Sequence, residues 1–286
     1  MTALPSAVTA WLSEQGHGEV TNVRTVGGGC INNGARLETT GGMSFFLKTN
    51  QRAPADMFAR EAEGLKALQQ PDGPRVPKVF LFGEDFLLLE DLSPAGQQPD
   101  YWQKFGRQLA ALHAYTSEQF GFDHDNYIGS TPQPNPWMED GYEFFAEQRL
   151  NFQARLASQR GLFSSKEVEA VERMASRLPE LVPAQPPSLI HGDLWGGNAI
   201  SDSEGAPAII DPATHYGWAE AELGMTVLFG GFGEGFYRAY NEVNPLEPGW
   251  KERMEIYYLY HVLNHLNLFG RGYHGQAIRI AKRYGG

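Results

Sequence analysis

Three oxygen-bearing side chains in the second half of the chain have the types and the spacing of a phosphoryl-transfer site. Asp193 precedes Asn198 by five positions, and Asp211 follows later. Mg²⁺ is bound by one or two protein oxygens, with water and phosphate oxygens completing its coordination, so Asn198 and Asp211 could hold it. Asp193 could then orient a hydroxyl nucleophile and take its proton. Any one of these residues alone would be interpreted as a surface-turn residue, but the three at this spacing favour catalysis.

Two short strands on either side of a polar turn are predicted to bring these groups together, over residues 199–201 and 207–210. The apolar runs separated by a glycine-containing turn are typical of a β-hairpin. In the register that places the residue after the first strand opposite Pro207, Asn198 lies opposite Asp211. This register predicts that both oxygen ligands project from the open end of the hairpin, close enough to share one cation.

A lysine and a glutamate earlier in the chain are predicted to form an ion pair. Lys48 ends a predicted strand over residues 43–48, and a helix is predicted over residues 55–70. Glu61 lies within the apolar stripe of that helix, and a carboxylate on a buried face needs a partner. The lysine of the preceding strand is the obvious partner, with an ordinary exposed strand-end lysine as the alternative. Such a pair would hold the ammonium group against nucleotide phosphates.

Backbone groups at two further places could contact a nucleotide. Gly27, Gly28 and Gly29 lie between two predicted strands, where glycines let backbone N–H groups approach phosphates. A plain hairpin turn also explains the triplet, and no Gly-Lys-Ser/Thr follows it, so it is not a Walker A motif. Further on, an apolar strand joins the two halves of the chain, and the backbone of Glu90 and Leu92 at its end could bind adenine.

The order of the predicted elements indicates an α+β protein with two lobes. Strands dominate the first 92 residues, whereas beyond residue 93 the apolar residues recur mostly at helical spacing. The strongest helix predictions cover residues 101–115, 142–158, 166–178 and 250–269. We therefore predict a small β-rich nucleotide-binding lobe over residues 1–92 and a larger, mostly helical catalytic and substrate-binding lobe over residues 93–286, with a cleft between them.

Composition excludes several classes of protein. Thirty-four acidic and 23 basic residues give a net charge of −11, which opposes sequence-independent nucleic-acid binding. No apolar run approaches the roughly 20 residues that span a bilayer, and the first residues do not resemble a signal peptide, so we expect a cytoplasmic location and no membrane partner. The single cysteine, Cys30, excludes an internal disulfide framework and a cysteine-based zinc site.

These residues together resemble the protein-kinase-like fold of the aminoglycoside phosphotransferases and, more closely, the fructosamine/ketosamine kinase family. Residues 125–135 are similar to a segment that is diagnostic of the family, and residues 191–198, followed by Asp211-Pro212-Ala213, are close to its catalytic motifs. The predicted first-lobe helix and residues 263–270 also match. The resemblance covers most of the chain.

The resemblance implies an ATP- and Mg²⁺-dependent kinase that phosphorylates the sugar 3-hydroxyl of ketosamines. These are adducts of reducing sugars with amines, and their 3-phosphates fall apart, so the family acts in deglycation. The implied roles are a catalytic base at Asp193, magnesium ligands at Asn198 and Asp211, nucleotide positioning by Lys48 and Glu61, and a nucleotide loop comprising Gly27, Gly28, Gly29, Cys30 and Ile31.

The acceptor side departs from the family's commoner pattern, which has Tyr, His and Arg where this chain has His215, Trp218 and Ala219. We expect His215 and Trp218 to face the acceptor, whereas Trp195 could stack on a sugar or pack under the catalytic loop. The preferred sugar and amine, and whether the ketosamine is free or protein-bound, stay open. The alternative functions are a kinase of an aminoglycoside, choline or homoserine, and a catalytically inactive nucleotide-binding module.

Cys30 and two histidines of one predicted helix have two interpretations each, and a third histidine has one. Cys30, in the implied nucleotide loop, could be oxidised to link two otherwise monomeric chains, or it could be an inert loop cysteine. His261 and His265 have helical spacing but no third zinc ligand in the sequence, so a structural role is expected. His113 is expected to pack in the core beneath the catalytic loop.

Overall fold

The structure is a computed structural model that describes residues 4–27 and 32–286. Its first part is an antiparallel sheet with the strand order β1-β2-β3-β5-β4. The strands are β1 (Val20–Val26), β2 (Asn33–Thr39), β3 (Ser44–Thr49), β4 (Val79–Phe82) and β5 (Phe86–Glu90), with helices α1 (Ser6–Glu14) before β1 and α2 (Met57–Leu68) between β3 and β4. The predicted strands and the predicted helix are therefore present, whereas α1 was not predicted.

The two faces of this sheet pack against different partners, because side chains alternate along a strand. Phe45 and Leu47 on β3 pack with Val8 and Leu12 of α1 in a small core of their own. Lys48, the next residue along β3, therefore points to the opposite face, toward α2 and the rest of the chain. The alternation in sequence thus determines that Lys48 faces inward rather than toward α1.

The remainder of the chain is mostly helical. The helices are α3 (Tyr101–His113), α4 (Gly141–Phe145), α5 (Phe152–Gln159), α6 (Ser165–Ser176), α7 (Leu178–Leu181), α8 (Ala219–Leu228), α9 (Glu234–Val243), α10 (Trp250–Phe269) and α11 (His274–Gly285). A π-helical segment, Ala146–Asn151, joins α4 to α5, so the helix predicted over 142–158 is continuous but irregular. α10 has the predicted bounds. The α+β, bilobal prediction is confirmed, and we retain residue 92 as the proposed boundary between the lobes.

Two short hairpins and one further pair of strands lie among the helices. They are β6 (Asn126–Ile128) with β7 (Thr131–Gln133), β8 (Ser188–Ile190) with β11 (His215–Gly217), and β9 (Ala199–Ser201) with β10 (Pro207–Ile209). Among the described residues, none of the helices is both long enough and apolar enough to cross a membrane.

The register of the β9–β10 hairpin differs by one residue from the predicted one. Pro207 pairs with Ser201, so Asn198 lies across from Ile210, whose N–H donates to the Asn198 carbonyl at 3.1 Å. The reason is the side chain of Asp202, which accepts the N–H groups of Glu204 and Ala206 at 2.9 Å each and thereby belongs to the turn. Asn198 and Asp211 are consequently not opposite each other.

Arg75 ties the end of β5 to this hairpin. Its carbonyl accepts the Ile209 N–H at 2.8 Å. Its guanidinium contacts Glu90 at 2.6 Å and Asp202 at 2.9 Å. The connection between the two lobes is therefore fixed by both main-chain and side-chain contacts.

We predict that Gly106→Ala destabilises the protein by about 1–3 kcal/mol, the range for overpacking of a close contact. α3 packs against α9 at Gly106, where an added Cβ would overlap the Phe236 carbonyl and lie 3.0 Å from the Tyr240 nitrogen. Chemical denaturation measures the free energy of unfolding. The matched control is Gly275→Ala on α11, where an added Cβ has no atom within 4 Å and the change is neutral or stabilising. Equal stability of the two variants would contradict this account of the α3–α9 contact.

Candidate active site

A cleft of ≈ 880 Å³ lies between the sheet and the helical part of the chain. Nine of the predicted site residues line it. They are Gly27, Lys48, Glu61, Glu90, Leu92, Asp193, Trp195, Asn198 and Asp211. Groups that are far apart in sequence therefore meet on one surface. Gly28, Gly29, Cys30 and Ile31 lie outside the described residues.

The Lys48 ammonium group joins the two sides of the cleft. It donates to Glu61 Oε1 on α2 and to Asp211 Oδ1 beyond β10. Only 5% of the lysine is exposed. Burial alone would lower the pKa of Lys48, but the two carboxylates outweigh it and raise this pKa above its ordinary value, so the side chain is charged. The predicted Lys48–Glu61 ion pair is present; the contact with Asp211 was not predicted.

Asp211 reaches the cleft through an unusual backbone conformation. Its φ is 58°, in the left-handed region that few non-glycine residues adopt, although Asp is enriched there. Because successive side chains alternate in a strand, Asp211 and Asn198 would otherwise project to opposite faces in the observed register. The left-handed turn re-aims the Asp211 side chain toward Lys48. Strain of about 1–3 kcal/mol at such a position is offset here by the ion pair.

The donor atoms of Asn198 and Asp211 fit a cation that is shared with a nucleotide. The Asn198 amide nitrogen donates to the Asp193 carbonyl at 2.8 Å, which leaves its oxygen as the atom for a ligand. The Asp211 side chain is 40% exposed. Among the described residues, no group of three or more His, Cys, Asp or Glu side chains could hold a metal ion. A cation at this pair would need water or phosphate oxygens as well, which is the coordination that Mg²⁺ favours.

Asp193 lies at the bottom of the cleft in an environment that disfavours its negative charge. Burial chiefly, and then the negative charges of Asp211 and Glu222, raise the pKa of Asp193 to about 7. The Nδ1 atom of His261 lies 3.8 Å from its carboxylate. Burial lowers the pKa of His261 to about 3, so this neighbour is neutral and does not compensate the charge. A carboxyl group with a pKa near neutrality is suited to taking up a proton.

Glu222 on α8 contacts residues 191–198, which carry Asp193 and are called the catalytic loop below. The sequence did not lead us to expect this role for Glu222. Its carboxylate accepts the His191 N–H at 2.9 Å and the Gly192 N–H at 2.7 Å. It also contacts His113 Nε2 at 3.1 Å, so His113 does lie in the core beneath the loop as predicted. Burial opposes the ionised form of Glu222, but its hydrogen bonds and electrostatic interactions with His113 and His191 together lower its pKa. The sequence did carry a signal for this role. Glu222 lies within the mostly apolar run of residues 218–228, and a buried carboxylate requires partners.

The prediction that His215 and Trp218 face the acceptor is wrong. His215 is 5% exposed and Trp218 is 3% exposed. Both line a separate internal cavity of ≈ 20 Å³, and neither is among the described residues that line the cleft. The reason is that β11 pairs with β8 and turns inward, with His215 across from Ile190. Proximity to Asp211 in sequence did not translate into proximity to the cleft.

Aromatic side chains form one end of the cleft. The Trp195 ring lies 6.0 Å from the Phe229 ring, and Phe229 lies 5.0 Å from His265. The His265 ring is in turn 5.4 Å from Phe269 and 5.1 Å from Tyr273. Of the two interpretations of Trp195, this position on the cleft wall allows stacking on a ligand. His265, expected to be structural, lines the cleft, and nothing in the sequence indicated which surface its helix face would meet.

The connection after β5 offers fewer backbone groups for adenine than predicted. The Glu90 N–H already donates to the Lys78 carbonyl at 2.8 Å. This leaves the Glu90 carbonyl and the Leu92 N–H for the proposed role. Between them, Asp91 is held by Arg36, with contacts of 2.7 and 3.0 Å, and accepts the Ser93 N–H at 2.9 Å. The connection is therefore a rigid wall of the cleft.

Comparison with known proteins adds an independent finding. Residues 4–284 match the family model described as fructosamine kinase. The chain is 45% identical over 266 residues to the "probable ketoamine kinase" of Synechocystis sp., covering 91% of this chain and 89% of that one. It is 40% identical over 288 residues to the chloroplastic protein-ribulosamine 3-kinase of Arabidopsis thaliana, covering 97% and 87%.

Solved structures agree with these relatives. A Thermobifida fusca protein described as a candidate fructosamine-3-kinase superposes with a TM-score of 0.88 at 34% identity and covers 99% of both chains. The aminoglycoside phosphotransferase APH(4)-Ia superposes with a TM-score of 0.62 at 14% identity, covering 98% of this chain and 99% of that one. The second likeness concerns the fold alone.

We predict that Glu222→Gln lowers the free energy of unfolding by about 2 kcal/mol at pH 7, because charge-assisted hydrogen bonds to two backbone N–H groups are lost. The pKa of Glu222 is lowered in the folded state, so its contribution is fully present above the ordinary pKa of a glutamate and is lost as the pH falls through the lower folded value. Urea denaturation at pH 7 and below pH 4 measures both stabilities.

The difference between wild type and Glu222→Gln should therefore shrink on acidification. An exposed control, Glu172→Gln on α6, should show no difference at either pH. A wild-type advantage that persists unchanged in acid would contradict the ionised state of Glu222.

Proposed function

The chain belongs to the fructosamine kinase family, and we propose that it transfers the terminal phosphoryl group of ATP to the sugar 3-hydroxyl of ketosamines. It is a phosphotransferase with a hydroxyl group as acceptor, and ketosamine phosphorylation initiates deglycation. The observation that carries the proposal is the convergence of Lys48, Asp193, Asn198 and Asp211 in one cleft. Phosphoryl transfer needs a cation for the phosphates, a metal site and an acceptor base, and these four side chains have the required chemistry.

On the donor side, we assign Lys48 to the nucleotide phosphates, with Glu61 holding its ammonium group in place. Both carboxylates on Lys48 keep it protonated, so its positive charge is available to phosphate oxygens. Asn198 and Asp211 would hold Mg²⁺, which neutralises phosphate charge when it is bound. The Glu90 carbonyl and the Leu92 N–H would contact adenine, and the loop around Gly27 would cover the phosphates.

On the acceptor side, we assign Asp193 to the sugar hydroxyl. Its carboxylate would accept the hydroxyl proton as the oxygen attacks phosphorus, and its pKa near 7 suits that transfer at neutral pH. Trp195 would lie under the sugar, because apolar faces of sugars pack on aromatic rings. The open aromatic end of the cleft leaves room for the amine that carries the sugar, so a small-molecule and a protein-bound ketosamine both fit the proposal.

The alternative functions are less well supported. The structural likeness to an aminoglycoside phosphotransferase concerns the fold, whereas the curated relatives at 40–45% identity carry ketoamine or ribulosamine kinase names. An inactive nucleotide-binding module would tolerate loss of its catalytic groups. Lys48, Asp193, Asn198 and Asp211 are all retained here and all line the cleft. We also propose that the protein is cytoplasmic. We propose that it is a monomer and that oxidation of Cys30 would link two chains into a dimer.

We predict that Asp193→Asn lowers kcat about 10²- to 10⁴-fold, because the amide cannot accept the hydroxyl proton. Nucleotide binding should be unchanged, since the substitution preserves the shape of the side chain. ADP release with a ribulosamine acceptor measures turnover, and calorimetric titration with Mg·ADP measures binding. Asp72→Asn in an exposed turn is the control and should behave like wild type. A near-native rate for Asp193→Asn would exclude Asp193 as the base.

We further predict which acceptors support turnover. With ribulosamine, erythrulosamine or fructosamine adducts as acceptors, the enzyme should convert ATP to ADP. With choline or an aminoglycoside it should not, because the match to the fructosamine kinase family extends over residues 4–284. A coupled ADP assay across this panel measures it. Turnover with the aminoglycoside alone would favour the alternative kinase function, and Mg·ADP binding without any turnover would favour the inactive module.

A further inference from the structure

Helix α2 carries Glu61 yet contacts the C-terminal lobe along its length. At its N-terminus, the Tyr127 hydroxyl on β6 donates to Asp56 Oδ1 at 2.7 Å. About two turns further along, Glu63 lies 3.2 Å from His124 Nδ1. Both partners come from the segment around the β6–β7 hairpin. The position of α2 relative to the catalytic residues is therefore constrained by side chains outside its own lobe.

The closest approach on this face of α2 occurs at Gly64. A Cβ added there would lie 2.8 Å from Thr214 Oγ1, 3.1 Å from Thr214 Cβ and 3.6 Å from Pro212 Cγ. Real Cβ atoms essentially never lie 2.8 Å from another heavy atom, so a larger residue at Gly64 requires Thr214 or α2 to shift. Pro212 directly follows Asp211 and Thr214 lies three residues after it, so the contact links the helix of Glu61 to the segment that begins with Asp211.

The segment opposite Gly64 is itself held from behind by buried amides. Asn126 Nδ2 donates to the Thr214 carbonyl at 2.8 Å, and Gln133 Nε2 donates to the Ala213 carbonyl at 3.0 Å. Gln133 Nε2 also donates to Asn126 Oδ1 at 2.7 Å, and Gln133 Oε1 accepts the Tyr260 hydroxyl at 2.7 Å. Asn126 and Gln133 are both buried. A segment fixed by this many buried hydrogen bonds cannot yield easily when α2 is displaced.

We infer that Tyr127, Pro212 and Thr214 form a seat for α2, and that this seat positions Glu61 on Lys48. Lys48 contacts Glu61 on α2 and Asp211 on the segment that carries two residues of the seat. If α2 moves away from that segment, one ammonium group cannot contact both carboxylates. The seat residues are positioning residues, and the absence of a side chain at Gly64 is what permits their contact with α2. The inference rests on the proposed function only in assigning Lys48 to the nucleotide.

Gly64→Ala tests the seat. We expect the dissociation constant for Mg·ADP and the KM for ATP to rise about tenfold, because Glu61 no longer orients Lys48, while the KM for a ribulosamine acceptor changes less than threefold. Calorimetric titration and ADP release measure these constants. The matched control is Gly275→Ala on α11, a glycine whose added Cβ has no atom within 4 Å, and it should leave every constant unchanged.

A second substitution tests whether the clash with Thr214 is the cause. Thr214→Ala removes the nearest atom, and among the described residues that hydroxyl has no hydrogen-bond partner. In the Thr214→Ala background, Gly64→Ala should weaken Mg·ADP binding less than threefold instead of tenfold. An equal loss in both backgrounds would overturn the seat. So would a lower melting temperature of Gly64→Ala with unchanged Mg·ADP binding, because that is the signature of a packing role alone.

Tyr127→Phe keeps the test decisive if Gly64→Ala does not fold. It removes only the hydrogen bond to Asp56 and should weaken Mg·ADP binding about threefold; unchanged binding would overturn the seat. Failure of the proposed function is distinguishable from these outcomes, since the wild-type protein would then bind no Mg·ADP or turn over no ketosamine, whatever the variants do.

Discussion

The rest of the site depends on the ion pairs that the buried Lys48 ammonium group forms with Glu61 and Asp211. The ammonium group connects three elements that are distant in sequence: β3, α2 through Glu61, and the segment after β10 through Asp211. A buried charge that loses a partner is destabilising by about 3–5 kcal/mol, so both carboxylates must stay in place. This requirement explains why α2 packs against both lobes and why Asp211 is kept in a left-handed conformation. Folding thus assembles the cleft with the Lys48 ammonium group already oriented.

A second buried charge, of opposite sign, supports the other half of the site. Glu222 holds two backbone N–H groups of the catalytic loop and contacts His113. Burial raises the pKa of Asp193, and the negative charges of Asp211 and Glu222 add to this effect. The reactivity proposed for Asp193 therefore follows chiefly from its burial, with a further contribution from these two carboxylates. Stability and the proposed catalysis therefore depend on the same few charged groups.

Periodic features were predictable from the sequence, and contacts between distant segments were less so. The helix of Glu61 and the strand of Lys48 follow from apolar spacing, and their ion pair follows because a carboxylate on an apolar stripe needs a cation. The hairpin register was mispredicted because Asp202 caps its own turn by a side-chain hydrogen bond. His215 was misassigned because the partner of its strand, β8, is only visible in three dimensions.

Asn198 and Asp211, the two ligands of the proposed magnesium site, both line the cleft although the predicted register was wrong. A shared cation would require that Asn198 and Asp211 present oxygens to one point, and more than one backbone path could satisfy that requirement. A hairpin with the predicted register would achieve it by direct opposition. The protein instead shifts the hairpin by one residue and reverses the alternation at Asp211 with φ 58°. Because the side-chain destination is what phosphoryl transfer constrains, the residue types and their spacing indicate the site better than they indicate the backbone that builds it.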